Sequence, residues 1–236
     1  MIKTYVAFDL ETTGLDVDTE EIIEIGALKV EDGKVVDRFM EFIKPENPIS
    51  PLITNITGIT NEMVAEARNA KSVLEDFVKF CDNYILVGHN ISFDYKFCKK
   101  YAAKYGLSFE KRGIDTLKIA RKVHKDMESK SLGSLCEYYQ ITNQSAHRAY
   151  HDALATAKLY QCLGHYFEEK EPKLFEPEAL LYKPKKVQPI TSKQKEFLSS
   201  LILQYKLEPI QNIDELTRSQ ASKKIDEILS THGYNK

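Results

Sequence analysis

A short apolar run near the beginning of the chain ends in two acidic residues. The run, Tyr-Val-Ala-Phe at 5–8, is followed by Asp9 and Glu11 and then by a Thr-Thr-Gly turn. A run of this length that is bounded by a turn is typical of a buried central strand. Because side chains alternate along a strand, positions 9 and 11 share one face at its end. The chain is therefore expected to form a covered sheet with two acids at the edge where α/β sheets usually bind ligands.

Three more residues with related chemistry follow along the chain. Asp94 comes shortly after a second predicted buried strand, 84–88, and His147 and Asp152 flank the start of an apolar helical pattern. Asp94 alone could merely complement a helix dipole, and a single histidine is more often structural. One acid of the first strand could cap the turn while the other is solvated. The five residues together are more informative than any one of them, since acids that end a core strand need a compensating partner.

Carboxylates gathered in one pocket would repel one another, and at least one of them would stay protonated. A pair of divalent cations removes that cost, and hard oxygen ligands suit Mg²⁺ or Mn²⁺. Two such ions can hold the attacking and leaving oxygens of a phosphodiester displacement. A histidine beside them can take the proton from the attacking water. These residues therefore indicate metal-dependent phosphodiester chemistry.

The rest of the first 170 residues is predicted to alternate between strands and helices. A Glu-Asp-Gly sequence at 31–33 separates apolar runs at 22–30 and 35–43, which is the pattern of a tight β-hairpin. Three prolines between 45 and 51 indicate a long connection. Helices are predicted at 61–67, 71–82, 93–105, 115–124, 131–140 and 151–168. Hairpin strands followed by alternating helices and strands indicate a mixed α/β sheet.

Two further parts are predicted after residue 170. Residues 171–190 contain four prolines and several lysines, which indicates a semi-extended linker. Residues 191–236 contain two helical patterns, and each begins with the Thr-x-x-Gln pattern of a capping box, at Thr191 and at Thr217. A helical hairpin of this size has little core of its own. It is either a packing appendage or a module that recruits nucleic acid or a protein, so the predicted domains are 1–170, 171–190 and 191–236.

Composition argues against several classes of protein. The net charge of −2 is not typical of a strong duplex-DNA binder. No apolar run approaches membrane-spanning length, and the chain enters its first strand soon after Met1, so we expect neither a membrane span nor a signal peptide. The four cysteines are scattered without a CxxC pair, which favours reduced thiols in a cytoplasmic protein over zinc ligands.

The order of these motifs resembles a known family. The DEDDh 3′–5′ exonucleases, the DnaQ-like group that includes the proofreading epsilon subunit of bacterial DNA polymerase III, carry similar motifs over a region that corresponds to roughly residues 2–168. The similar segments are Asp-x-Glu-Thr-Thr-Gly at 9–14, Ile-Ile-Glu-Ile-Gly-Ala at 22–27, Ile-Thr-Gly-Ile-Thr at 56–60, His-Asn-x-x-Phe-Asp at 89–94, Ile-Asp-Thr-Leu at 114–117 and His-x-x-x-x-Asp at 147–152. A sister branch has a tyrosine four residues before the last aspartate. Arg148 stands there in this chain, which disfavours that branch.

The resemblance implies a fold and a set of catalytic residues. The fold would be the ribonuclease-H-like mixed sheet flanked by helices, with a small helical appendage at the C-terminal end. Two divalent cations, Mg²⁺ or Mn²⁺, would be bound by Asp9, Glu11, Asp94 and Asp152. His147 would be the general base for attack by water on the terminal phosphate.

The resemblance also implies a pocket for the 3′-terminal nucleotide. The backbone around Thr12 and the side chain of Leu15 would receive the nucleotide, and Asn90 and Phe93 would line the same pocket. Leu15 has two interpretations from the residues alone. It could be an ordinary core residue, or it could be an apolar wedge against a base.

The leading hypothesis is a metal-dependent exonuclease that releases nucleoside 5′-monophosphates from single-stranded or frayed DNA 3′ ends in proofreading or repair. An alternative keeps the enzyme but makes RNA 3′ ends the substrate, because sugar choice depends on contacts near the 2′ position. A second alternative is a non-catalytic fold that only binds nucleic acid or a polymerase. A DNA polymerase would be a partner through the C-terminal segment, and no membrane partner is expected.

Overall fold

The computed structural model describes residues 1–143, 146–185, 188–210 and 212–233. The chain divides into two units, Met1–Pro184 and Lys185–Lys236. A six-stranded sheet forms the centre of the first unit, with the strand order β3-β2-β1-β4-β5-β6. The strands are β1 (Tyr5–Thr12), β2 (Ile22–Glu31), β3 (Lys34–Phe42), β4 (Leu86–Gly88), β5 (Arg112–Asp115) and β6 (Glu178–Ala179).

The sheet is mixed, as the sequence predicted. The central strand β1 is antiparallel to β2 and parallel to β4. Strand β4 is parallel to β5, and the short edge strand β6 is antiparallel to β5. The predicted hairpin joins β2 to β3 through Asp32 and Gly33, which both have positive φ angles of 49° and 80°. Two positive φ angles in a row are typical of the type I′ turn, whose twist matches that of the strands.

Helices cover both faces of this sheet. In the first unit the helices are α1 (Pro51–Thr57), α2 (Asn61–Val64), α3 (Ala70–Cys81), α4 (Ile91–Lys104), α5 (Thr116–Val123), α6 (Leu132–Tyr138) and α7 (Ala149–Phe167). All six predicted helices are present, with bounds that differ by a few residues. One apolar layer contains Phe77 of α3 and Phe97 of α4, and the layer on the opposite face contains Leu135 of α6 and Tyr160 of α7.

Helix α1 is absent from the sequence prediction, which treated the three prolines at 45, 48 and 51 as signs of a long connection. Its first residue is Pro51, where proline is favourable because the N–H group that it lacks would have no partner inside the helix. The Ser50 side chain accepts a hydrogen bond from the Ile53 N–H, and Gly58 ends the helix with a φ of 71°. Proline at the first position and glycine directly after the last position therefore define the two ends of this helix.

Residues 171–190 also differ from the predicted tether. A 3₁₀ turn forms at Pro172–Phe175, and the ring of Phe175 is buried against Tyr160 of α7. Strand β6 then pairs with β5 at the edge of the sheet. The part of this segment up to Pro184 belongs to the first unit, because Phe175 adds to its apolar layer and β6 covers the exposed edge of β5.

The second unit contains α8 (Ser192–Gln204) and α9 (Arg218–His232). Both predicted capping boxes are confirmed. The side chains of Thr191 and Thr217 accept a bond from the backbone N–H three residues later, and the side-chain oxygen of the glutamine at that position accepts a bond from the threonine N–H. Leu198, Leu201 and Ile225 are the buried centre of a small apolar cluster between the two helices. Among the described helices, none is long and apolar enough to cross a membrane.

Candidate active site

Two of the predicted acids lie at the end of the central strand. Tyr5 and Ala7 pack into the apolar layer of α7, whereas the even-numbered residues 6–10 of β1 pack into the layer of α3 and α4. Because side chains alternate, Asp9 and Glu11 point to the side of the sheet that α7 covers. The strand continues through both acids to Thr12, so the backbone that carries the two carboxylates is held by the hydrogen bonds of the sheet and does not belong to a loop.

Asp94 reaches the same strand end from α4. It is 4% exposed, and its Oδ1 accepts a hydrogen bond from the Leu10 N–H at 3.1 Å. The helix starts earlier than predicted, at Ile91, directly after Asn90 in the left-handed region with a φ of 65°. This turn places Asp94 in the first helical turn and directs it at the backbone between the two acids of β1.

His147 and Asp152 complete the group from the start of α7. One ligand atom each of Glu11, His147 and Asp152 lie within 4.8 Å of one another, and His147 is exposed. The Asp152 carboxylate accepts bonds from the His147 N–H at 2.9 Å and from the Asn143 side-chain amide at 2.6 Å. His147 has a φ of 62°, a conformation that is uncommon outside glycine and is held here by its bond to Asp152.

Burial raises the pKa values of all four carboxylates, and repulsion within the group adds to the effect at Asp9 and Glu11. For Asp9 burial is the largest cause, and the negative charges of Asp94, Asp152 and Glu11 raise its pKa further. Burial raises the pKa of Glu11 to about 8, with added repulsion from Asp152, and burial raises the pKa of Asp94 to about 8. Burial also raises the pKa of Asp152, although its hydrogen bonds act in the opposite direction.

The donor set suits divalent cations. The positive charge of Arg148 lowers the pKa of Glu11, but this effect is smaller than the opposite effects of burial and of the neighbouring acids. Charge on four converging carboxylates is thus largely uncompensated by the protein. Hard oxygen donors of this kind fit Mg²⁺ or Mn²⁺, so these residues could hold the metal that the sequence predicted.

A buried ion pair behind the site was not predicted from the sequence. Glu24 of β2 is 4% exposed and accepts bonds from the Arg148 guanidinium, at 2.9 Å from Nη2 and 3.2–3.3 Å from Nε. Glu24 also accepts a bond from the Ala149 N–H at 3.2 Å. The pair fixes the residue next to His147 and the first residue of α7. An acid inside the apolar run Ile-Ile-Glu-Ile-Gly was the signal that could have indicated it.

Strand β2 and the start of α7 also make a close backbone contact. A Cβ atom at Gly26 would lie 1.9 Å from the Tyr150 backbone nitrogen, so only glycine fits there. Gly26 and Glu24 are on the same face of β2, two residues apart. Together they set the position of the helix start that carries His147 and Asp152.

The four predicted substrate-binding residues surround this edge in different ways. Leu15 is 85% exposed in the loop after β1, so it is not a core residue. The Thr12 side chain is occupied within the loop, because its hydroxyl donates to the Gly14 carbonyl. Asn90 is exposed, and its N–H donates to Asp115 Oδ1 at 2.9 Å. Phe93 is partly buried, with its ring 5.1 Å from that of Phe97.

Comparisons with known proteins agree with this geometry. A family model described as an exonuclease, RNase T, matches residues 6–160. The chain is 42% identical over 156 residues to the PolC-type DNA polymerase III of Caldanaerobacter subterraneus subsp. tengcongensis, a match that covers 66% of this chain. The chain spans only 11% of the length of that relative.

Two solved structures share the fold. Exonuclease X in complex with 5′ overhanging duplex DNA is 28% identical with a TM-score of 0.55, and the match covers 69% of this chain and 92% of that one. The nuclease domain of 3′hExo, a DEDDh family member bound to rAMP, is 19% identical with a TM-score of 0.62 and covers 76% of this chain and 98% of that one. These matches confirm the expected ribonuclease-H-like architecture. The family match over residues 6–160 shows that the chain belongs to the RNase T exonuclease family.

Proposed function

We propose that the protein is a 3′–5′ exonuclease that removes nucleoside 5′-monophosphates from single-stranded or frayed DNA 3′ ends during proofreading or repair. The observation that carries this proposal is the convergence of Asp9, Glu11, Asp94 and Asp152, with His147, at the end of β1. Support for DNA comes from the relatives, which are a DNA polymerase and an exonuclease described with duplex DNA.

The four carboxylates would hold two divalent cations, Mg²⁺ or Mn²⁺. When bound, such ions lower the pKa of an attacking water and neutralise charge on the leaving oxygen. His147 is exposed beside Glu11 and Asp152, so its imidazole can take a proton from a water that approaches from solvent. The bond from its backbone N–H to Asp152 holds His147 at the edge of the carboxylate group.

The 3′-terminal nucleotide would lie between the loop after β1 and the start of α4. The backbone at Thr12 would contact the nucleotide, and the exposed Leu15 side chain would pack against its base. Asn90 and Phe93 would line the opposite side. A nucleobase that packs on Leu15 would cover this exposed side chain.

The second unit would have a recruitment role. Residues 191–236 would bind a DNA polymerase, and the first unit would then act on the strand ends that the polymerase presents. The proposal includes a cytoplasmic location, because the similar protein from Caldanaerobacter subterraneus is a DNA polymerase III, which acts on DNA inside the cell.

The test is a 3′-end degradation assay with two substrates. Single-stranded DNA and RNA of the same sequence, labelled at the 5′ end, are incubated with Mn²⁺ or with EDTA. We expect a metal-dependent ladder that shortens from the 3′ end, faster on DNA, and a loss of at least a hundredfold in rate for His147→Ala. His232→Ala, which changes an exposed histidine of the second unit, is the matched control and should keep the wild-type rate. Faster cutting of RNA would reverse the substrate class, and intact strands of both kinds would contradict the catalytic role.

A further inference from the structure

Two open depressions are lined in part by residues of α5 and α6 or of the turns that end them. The first, of about 560 Å³, is lined by Asn90, Arg121, Glu128 and Lys130 among others. It begins at Asn90, which borders the catalytic edge because its N–H is bonded to Asp115 at the end of β5. In the described part of the chain, neither the Arg121 nor the Lys130 side chain forms an ion pair.

The second depression, of about 610 Å³, is lined by aromatic rings. Tyr138 is 60% exposed and Tyr166 is 57% exposed, although both rings are large and partly apolar. The Tyr139 and Tyr166 rings stack with their centroids 5.9 Å apart, and Tyr138 packs edge-on against Tyr139 at 5.0 Å. Lys170 adds a positive charge at the border. We name the three tyrosines the tyrosine platform.

Lys130 connects the two depressions. Its carbonyl accepts a bond from His89 Nε2 at 3.0 Å in the first depression. Burial is the larger cause of the lowered pKa of His124, in the second depression, and the positive charge of Lys130 lowers that pKa further. Helices α5 and α6 also run along both, since α5 carries Arg121 and is capped by His124, and α6 ends at Tyr138. Both depressions therefore follow the same pair of helices from the catalytic edge, and we call the two together the track.

The length of the track suits several nucleotides. Tyr166 is fourteen residues beyond Asp152 on the same helix, α7. At 1.5 Å per residue, the platform is about 21 Å from the catalytic edge along the helix axis. Single-stranded nucleic acid is bound by surfaces that combine basic residues along the backbone with exposed aromatic rings on which bases stack. A basic first part and an aromatic second part match that chemistry.

We propose that this track binds the unpaired DNA strand upstream of the cleaved nucleotide. Arg121 and Lys130 contact its phosphates, and bases several positions from the 3′ end stack on the tyrosine platform. The inference rests on the proposed exonuclease function and adds a binding site to it. The enzyme therefore prefers strands long enough to reach the platform over very short ones.

The experiment compares a long and a minimal substrate. Tyr138→Ala and Tyr166→Ala are combined in one variant, since both side chains are exposed and their loss leaves the core intact. Hydrolysis of a twenty-nucleotide oligothymidylate and of thymidine 5′-(p-nitrophenyl phosphate) is measured with Mn²⁺. We expect the KM for the oligonucleotide to rise at least fivefold, with kcat and the hydrolysis of the small ester unchanged. Phe197→Ala, which removes an exposed ring of the second unit, should leave both substrates at wild-type values.

The phosphate contacts have their own signature. Arg121→Ala should reduce the slope of log affinity against log salt by about 0.7 for the oligonucleotide, which corresponds to one phosphate contact on a single strand. Lys122→Ala removes the same charge from the adjacent exposed residue of α5, outside the lining of the track, and should leave the slope unchanged.

Binding of the labelled oligonucleotide with Ca²⁺, followed by fluorescence anisotropy, separates the two proposals. If the wild type hydrolyses neither substrate, the exonuclease proposal fails, and weaker binding by the tyrosine variant still supports the track. If the tyrosine variant binds and degrades the oligonucleotide as the wild type does, the track is refuted, and the platform is then a surface for another kind of partner.

Discussion

The metal-free protein should become less stable as pH rises, and Glu11→Gln should remove much of that loss. The folded-state pKa of Glu11 is about 8, against an ordinary value of 4.5, because the side chain is buried among other acids. The unfolded chain loses its proton near pH 4.5, whereas the folded chain keeps it until about pH 8. The ionisation of Glu11 therefore lowers the free energy of unfolding between pH 4.5 and about pH 8, and it has no further effect above that range.

The size of the effect follows from the shift. The difference between the folded-state and the unfolded-state pKa of Glu11 corresponds to about 4–5 kcal/mol, at about 1.36 kcal/mol for each unit of pKa. Glutamine has no proton to lose, so Glu11→Gln should be more stable than the wild type by about 4 kcal/mol at pH 8. For a chain of this length that is a rise in Tm of roughly 8–16 °C. At pH 4.5, where the unfolded wild-type side chain is half ionised and the folded one is neutral, the difference should fall below about 1 kcal/mol.

The assay is thermal unfolding by circular dichroism in EDTA between pH 4.5 and pH 8.5. Glu169→Gln, an exposed glutamate just after α7, is the matched control and should follow the wild-type curve at every pH. Saturating Mn²⁺ should reverse the order, because the wild type gains the free energy of metal binding. A Glu11→Gln protein that is less stable than the wild type at pH 8 in EDTA would refute the electrostatic reasoning.

Two further predictions concern the support of α7. Removing one partner of the buried pair, by Arg148→Gln or Glu24→Gln, should lower kcat at least tenfold with little change in KM, because the pair fixes the chain beside the general base and does not face the substrate. A double-mutant cycle of kcat checks this. The double variant should lose no more kcat than either single variant, and additive losses would contradict the prediction. Gly26→Ala should displace the start of α7 and abolish activity, because its Cβ would meet the Tyr150 nitrogen at 1.9 Å. Gly133→Ala, where the added Cβ meets nothing within 4 Å, should retain the wild-type rate, and equal losses in both variants would show that the close approach is unimportant.

The alternation of side chains in β1 was enough to predict that Asp9 and Glu11 share a face. Nothing local indicates that the Asp94 carboxylate accepts a bond from the Leu10 N–H, because the two residues are far apart in the chain. The Glu24–Arg148 pair is hidden for the same reason, since it depends on how β2 and α7 meet. Long-range contacts of polar groups are set by the fold as a whole.

The elements that were missed have local reasons. Strand β5 has four residues, Arg-Gly-Ile-Asp, and lacks the apolar run that marks the other parallel strands. Helix α1 begins with a proline that signals a break almost anywhere else. Phe175 is one aromatic residue in a proline-containing segment, and only its burial against Tyr160 shows that the segment belongs to the first unit.

The number of metal ions bound by the four carboxylates is the most direct test of the proposed chemistry. Equilibrium dialysis with Mn²⁺ and thymidine 5′-monophosphate would give this number for the wild type, His147→Ala and Asp9→Ala. We expect two ions for the wild type and for His147→Ala, because the histidine is assigned to proton transfer, and neither tightly bound ion for Asp9→Ala. A single ion in the wild type, or two ions that remain bound in Asp9→Ala, would contradict the two-metal assignment of this site.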